Sequence, residues 1–168
     1  MQECSVGSSR SKSVHEIVQQ LVGQRCWYVS VGGTTWPSFT LVCGEPIPRD
    51  MPLGNRAHPE QFRTHHGSVE LLVWCAWRLQ TGSSVIVSSD DEEAAARALD
   101  VVTGTTVVSA HCAAPAWDLD LVLSGDQVLK VFSDRHARDR GIRHNWELWV
   151  PGVHACAGPG AAWEHVAV

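Results

Sequence analysis

The sequence carries one pattern of glycines and tryptophans twice. Gly23, Trp36, Gly44 and Ile47 return without a gap as Gly104, Trp117, Gly125 and Val128. A serine-led helix signal precedes each set. A Trp-x-Leu segment follows each, first Trp77-Arg78-Leu79 and then Trp146-Glu147-Leu148. Glycine is the residue of choice where the backbone must take conformations that other residues resist, so matched glycines mark matched turns. Such a chain is expected to fold as two related halves, roughly residues 13–88 and 89–168, around a shared core. The gapless alignment sets Phe39 against Asp120. A one-residue shift after each tryptophan brings Phe39 over Leu119 and Leu41 over Leu121, which restores matched inward faces. Alternating strands resemble one another, so a shared β pattern without duplication is the competing explanation.

Local signals fill in the halves. Ser13-Val14-His15-Glu16 fits a capping box, and Val14, Ile17, Val18 and Leu21 share one helical face up to Gly23. Ser89 with Glu92 repeats the box ahead of a second helix, Asp91 to Val102. Strands are expected over Arg25 to Val31, Phe39 to Cys43, Val69 to Leu79, Ser84 to Ser88, Thr106 to His111, Leu119 to Leu123, Val128 to Phe132, Trp146 to Val150 and Trp163 to Val166. Gly32-Gly33 and Gly125-Asp126 are hairpin turns between them. The predicted class is α+β: two pseudo-repeats of a helix plus antiparallel strands, forming one curved sheet or half-barrel with both helices on one face. Residues 1–12 read as a disordered tail, and residues 13–168 as a single domain.

Two loops break the symmetry. Glu45 to Gly67 carries Pro46, Pro48, Pro52 and Pro59, with Arg49, Arg56, Arg63, His58, His65 and His66. Its prolines argue against long regular elements. Ser133 to Asn145 holds Arg135, Arg138, Arg140 and Arg143 in the equivalent place.

Composition narrows the function classes. Hydrophobic residues make up 44% and charged residues 18% of the 168, a folded rather than a disordered balance. The formal charge of −5 argues against a protein that tracks nucleic-acid phosphates. It suits a basic protein partner. Eleven arginines against two lysines, with abundant Ala, Val and Gly, point to a GC-rich bacterial genome. Met1 to Ser13 lacks an apolar stretch, so it is not read as a secretory signal, and no apolar run is long enough for a membrane helix. A cytoplasmic location is expected, with the six cysteines as buried structural thiols.

No motif names a reaction. Gly32-Gly33-Thr34-Thr35 does not lead into a helix, so it cannot cradle a phosphate. Asp118 and Asp120 share a strand face and are the best carboxylate pair, with edge solubility or turn capping as their structural explanation. His154-x-Cys156 sets two metal-ligand types on one strand face, with His165 as a candidate third. A tetrahedral set is not assembled from the sequence, so no metal or cofactor is assigned. Eight tryptophans against one tyrosine is the sharpest functional hint. Trp74 and Trp77 point to opposite faces of a strand, as do Trp146 and Trp149. One of each pair must leave the core unless a second layer covers the sheet. The expected binding residues are Trp77, Arg78, His65, His66, Asp118, Arg138, Arg143 and Trp149, with no catalytic residue assigned.

The run Glu70 to Leu79, followed by Val85-Ile86-Val87-Ser88-Ser89-Asp90, resembles a group of small uncharacterised bacterial proteins in which a strand ending Trp-Arg-Leu leads to a strand ending Ser-x-Asp. Asp118 to Phe132 with Asn145-Trp146-Glu147-Leu148 resembles that group's second half. The resemblance spans Leu21 to Trp149, and the loop from Glu45 to Gly67 is longer than the group's pattern. Small acidic proteins of this style look like immunity proteins. The absence of a catalytic constellation beside an acidic, Trp-rich β scaffold leads to the expectation of a non-enzymatic, protein-binding role, immunity-type or regulatory, with a basic toxin as one candidate partner. Two other readings stay open: a ligand-binding or enzymatic cleft between the halves lined by His65, His66, Arg78 and Asp118, and a structural subunit of a homodimer.

Overall fold

The computed structural model describes residues 13–32, 37–134 and 144–168. The expected tail lies outside these residues, as do Trp36, Arg138 and Arg143.

The Ser13 hydroxyl accepts the Glu16 N–H at 3.2 Å, while Glu16 Oε2 accepts the Ser13 N–H at 2.7 Å. This capping box starts helix α1 (Val14–Val18), which a 3-10 turn extends to Leu21. Gly23 then reverses the chain at φ 82°. The chain continues through β1 (Cys26–Val31), β2 (Phe39–Pro48), α2 (Glu60–Thr64), β3 (His65–Val73), β4 (Ala76–Thr81), β5 (Val85–Ser88) and α3 (Glu92–Leu99). A second 3-10 turn, Asp100–Val102, leads into β6 (Val107–Ala113), β7 (Asp118–Leu123), β8 (Gln127–Phe132), β9 (Trp146–Val150), β10 (Val153–Ala157) and β11 (Trp163–Ala167).

These strands form two antiparallel sheets, ordered β1-β2-β3-β9-β10-β11 and β5-β4-β8-β7-β6. The single curved sheet expected from the sequence is thereby corrected. The cause is a change of sheet inside one apolar run. Val69 to Leu79 alternates as a single strand, yet the ladder breaks at Trp74-Cys75, so that β3 pairs with β9 while β4 pairs with β8. The inward faces of both sheets meet in one hydrophobic cluster. Phe39, Leu41, Leu71 and Leu148 come from one sheet, and Leu79, Leu121, Leu129 and Val131 from the other.

The edges of β1 and β6 touch through an isolated antiparallel bridge between Arg25 and Thr106. The hydrogen bonds around it are reciprocal. Gly23 N–H donates to Val107 O at 2.8 Å, and Gly104 N–H to Cys26 O at 2.7 Å. Cys26 N–H donates to Thr105 O at 2.8 Å, and Val107 N–H to Gln24 O at 3.0 Å. Each helical segment spans the sheets as well: α1 packs on β6 and β10, and α3 with its 3-10 turn packs on β5 and β1. That differs from two helices lying on one face of a sheet.

Three local expectations are corrected. The second helix is capped by Asp91, whose Oδ1 accepts the Ala94 N–H at 3.0 Å. Ser89 is buried instead, and its hydroxyl accepts the Trp77 N–H at 3.2 Å. Strand β2 runs on through Pro46 and Pro48, because beyond Cys43 it pairs with β3 alone and its vacated side has no ladder to lose. The segment after Pro151-Gly152 holds a full strand, β10, which pairs on both sides. No described helix is long and apolar enough to cross a membrane.

Candidate functional site

Alternation along the six-stranded sheet sends Leu71, Leu148 and Ala155 into the core and their neighbours outward. On that outer face Glu70 lies opposite Trp149, and Trp149 opposite His154. One step along, Leu72, Glu147, Cys156 and Glu164 lie opposite one another across β3, β9, β10 and β11. Trp146 is buried and Trp149 is half-buried, so the two tryptophans of β9 do part to opposite faces. The same holds for Trp74, which is half-buried, and Trp77, which is in the core.

A groove of about 400 Å³ opens beside Trp149, with Ile47, Arg49, His66, Ser68, Glu70 and Val168 among its walls. Ile47 is 40% and Val168 73% exposed, which gives the groove an apolar rim. Its floor is polar and fixed. Arg49 Nε donates to His65 O at 3.0 Å and Phe62 O at 3.3 Å, and its guanidinium lies 3.9 Å from Glu70 Oε1. The Pro/His-rich segment supplies this wall by folding over β1. The Phe62 ring lies 4.5 Å from Tyr28, and the Tyr28 hydroxyl is 3.1 Å from His58 Nδ1. Pro46 and Pro48 belong to strand here, so the irregular stretch is shorter than Glu45 to Gly67.

Next to the groove, metal-ligand types gather on β9, β10 and β11. Glu147 Oε2 lies 3.1 Å from His154 Nε2, which lies 3.4 Å from Cys156 Sγ. His144 Nδ1 lies 3.3 Å from Glu147 Oε1, and His144 Nε2 lies 3.6 Å from Glu164 Oε1. Burial pushes the Cys156 thiol up to about 12, and the charges of Glu147 and Glu164 add to the shift. His165 is not part of this group. It pairs with Ala155 rather than Cys156, and its ring stacks on Trp163 with centroids 5.3 Å apart.

The expected binding residues separate. His66 and Trp149 line the groove together. His65 sits at the start of β3, opposite Pro48, with its Nδ1 2.9 Å from Thr64 Oγ1. Trp77 is only 1% exposed and is no surface residue. Its indole meets Phe39 edge-on at 5.2 Å, and its Nε1–H donates to Pro37 O at 2.8 Å, so the core claims it. Arg78 and Asp118 belong to the other sheet. Arg78 lies over Phe132 at 5.5 Å and donates to Gln80 Oε1. Asp118 Oδ1 accepts the Ser133 N–H at 2.7 Å, and Asp120 accepts from Lys130 Nζ at 2.8 Å. Each carboxylate of that pair thus has its own structural partner. Arg138 and Arg143 lie outside the described residues.

The five described cysteines, Cys26, Cys43, Cys75, Cys112 and Cys156, are buried, with no disulfide among them. Cys26 and Cys43 face each other across β1 and β2. The hydrogen bond between them holds the Cys26 thiol below its usual range and raises that of Cys43, and burial opposes the first shift and adds to the second. Sequence reasoning missed Arg49, Glu70, Glu147 and Glu164 as site residues. Only the register across β9, β10 and β11 puts Glu147 and Glu164 beside Cys156. Neither a protein-family model, nor a curated protein, nor a solved structure matches the chain.

Proposed function

We propose that the chain is a non-enzymatic protein-binding protein, immunity-type or regulatory, that acts in the bacterial cytoplasm on a basic protein target. The observation that carries this reading is the Trp149 groove. A half-buried tryptophan stands beside pinned Arg49 and Glu70 and is rimmed by the exposed side chains of Ile47 and Val168. Aromatic anchors with an apolar rim and satisfied polar neighbours are what a protein hot spot needs. The net charge of −5, with Glu70, Glu147 and Glu164 on this face, favours a basic partner.

Internal duplication of a helix-plus-strands module is the scaffold in this reading. The reciprocal bonds around Arg25 and Thr106 support it. So do matching registers, each with one bulge: Val29 faces Leu41 across β1 and β2, and Ala110 faces Leu121 across β6 and β7. Trp77 Nε1–H donates to Pro37 O at 2.8 Å, and Trp146 Nε1–H donates to Trp117 O at 2.7 Å. The groove uses residues that the duplication does not repeat, namely Arg49 and His66 from the Pro/His-rich segment.

The test is affinity capture from the source cell with the wild type and Trp149→Ala, read by mass spectrometry. A basic protein recovered in stoichiometric amount by the wild type and lost with the variant is expected. Recovery of no stoichiometric partner would sink the reading.

A further inference from the structure

We propose that Glu147, His154 and Cys156 form a zinc-binding site on the outer face of the six-stranded sheet, with its fourth position open toward His144 and Glu164. The site goes beyond the protein-binding reading and shares Glu147, Glu164 and the Trp149 stack with that face.

Three observations carry it. First, the donor atoms already sit close to the spacing a metal demands. Zinc bonds of about 2.0–2.3 Å in a tetrahedron put neighbouring ligand atoms roughly 3.2–3.7 Å apart. Cys156 Sγ and His154 Nε2 are 3.4 Å apart, and His154 Nε2 and Glu147 Oε2 are 3.1 Å apart. All three ligand atoms lie within 4.8 Å of one another. A sulfur, an imidazole nitrogen and a carboxylate oxygen form a donor set that zinc accepts and that calcium or magnesium does not.

Second, two contacts compete for one ring nitrogen in this cluster. His154 Nε2 faces both Glu147 Oε2 and Cys156 Sγ. One ring nitrogen either donates its proton to Glu147 Oε2 or accepts the Cys156 S–H, so only one of the two contacts is a full hydrogen bond at a time. A cation at the centre of the three atoms satisfies all of them. Binding breaks the Cys156 S–H bond, forms the sulfur–zinc bond and releases the proton to solvent.

Third, the ligands are held in place from behind. Trp74 Nε1–H donates to Glu147 Oε1 at 3.0 Å, which leaves Oε2 on the His154 side. Trp149 stacks flat on the His154 ring at 4.4 Å. Cys156 sits on β10, which is paired on both sides. Such supporting contacts fix ligand orientation in metal sites. His144 and Glu164, the residues beside the fourth position, wall part of a cleft of about 270 Å³ together with Trp163. His144 and Glu164 converge on the same Cys156 Sγ within 4.8 Å.

The test uses untagged full-length protein stripped with a chelator and titrated with Co²⁺, then with Zn²⁺ against a chromophoric chelator. One equivalent of Co²⁺ should give intense tetrahedral ligand-field bands and a sulfur-to-cobalt charge-transfer band, both erased by Zn²⁺. Cys156→Ser should abolish the charge-transfer band and weaken Zn²⁺ by at least about tenfold. Glu147→Gln should weaken Zn²⁺ in the same sense with the charge-transfer band retained. His165→Ala, which lies off the site, should bind like the wild type. Circular dichroism confirms that each variant folds. Failure to bind a stoichiometric ion, a cobalt spectrum without thiolate character, or unchanged Zn²⁺ affinity in folded Cys156→Ser would each overturn the site.

Discussion

The Trp149 indole lies flat against the His154 imidazole, with ring centroids 4.4 Å apart and planes 7° from parallel. The indole therefore packs on a histidine, and Trp149 also lines the groove with Glu70 and Val168. Removing it should separate two effects. Trp149→Ala should lower unfolding stability by only about 1 kcal/mol, the scale of an aromatic stack. Partner capture should be lost altogether. Urea unfolding monitored by circular dichroism gives the first quantity and affinity capture the second. A stability loss of core size would mean that Trp149 is a packing residue.

Trp77 supplies the contrast. It was expected at the surface because it opposes Trp74 on an alternating run, but its indole is sealed between Phe39 and the Pro37 carbonyl. Trp77→Ala should cost about 3–5 kcal/mol, the usual range for a deleted core aromatic. The same urea titration checks it, with the midpoint moving to much lower denaturant than for Trp149→Ala.

These two tryptophans show where the sequence is legible. Period-two alternation identifies opposed faces, and it bounds β9 correctly at Trp146–Val150. It cannot say which neighbour a strand pairs with. The passage from β3 to β4 through Trp74-Cys75 changes sheet without breaking the alternation, because either pairing buries the same residues. The capping box at Ser13 is readable because both partners are local. Val153-His154-Ala155-Cys156-Ala157 is poor in large β formers, so β10 is hard to recognise, and with it the place where Glu147, Cys156 and Glu164 meet. The spacing of His154 and Cys156 was the one local trace of that cluster.

Gly67 tests the bulge that turns β2 toward the groove. The ladder slips between Cys43 and Pro46, and this brings the Cys43 backbone onto Gly67. A Cβ at Gly67 would lie 2.5 Å from Cys43 O and 2.8 Å from Val69 O, both backbone atoms that cannot swing aside. Gly67→Ala should therefore destabilise by about 1–3 kcal/mol, as overpacking does. Thermal unfolding should show a lower midpoint, whereas Gly54→Ala, where a Cβ meets nothing within 4 Å, should leave it nearly unchanged.

Alkaline pH should weaken the fold through Cys112. The thiol is 8% exposed on β6, and burial, assisted by the charge of Asp118, pushes it from its ordinary 9.0 up to about 12. The unfolded thiol loses its proton near pH 9, while the folded one keeps it until near pH 12. Across that window the folded state binds more protons, so unfolding becomes easier as pH rises. The stabilisation is fully present below pH 9 and is lost on the way to pH 12. The slope contributed by one such group is at most about 1.4 kcal/mol per pH unit. Cys112→Ala removes the group, so its stability should fall less steeply than that of the wild type between pH 9 and 11, whatever offset the smaller side chain adds. Urea unfolding at several pH values measures the two slopes, and parallel lines would exclude Cys112 as the source.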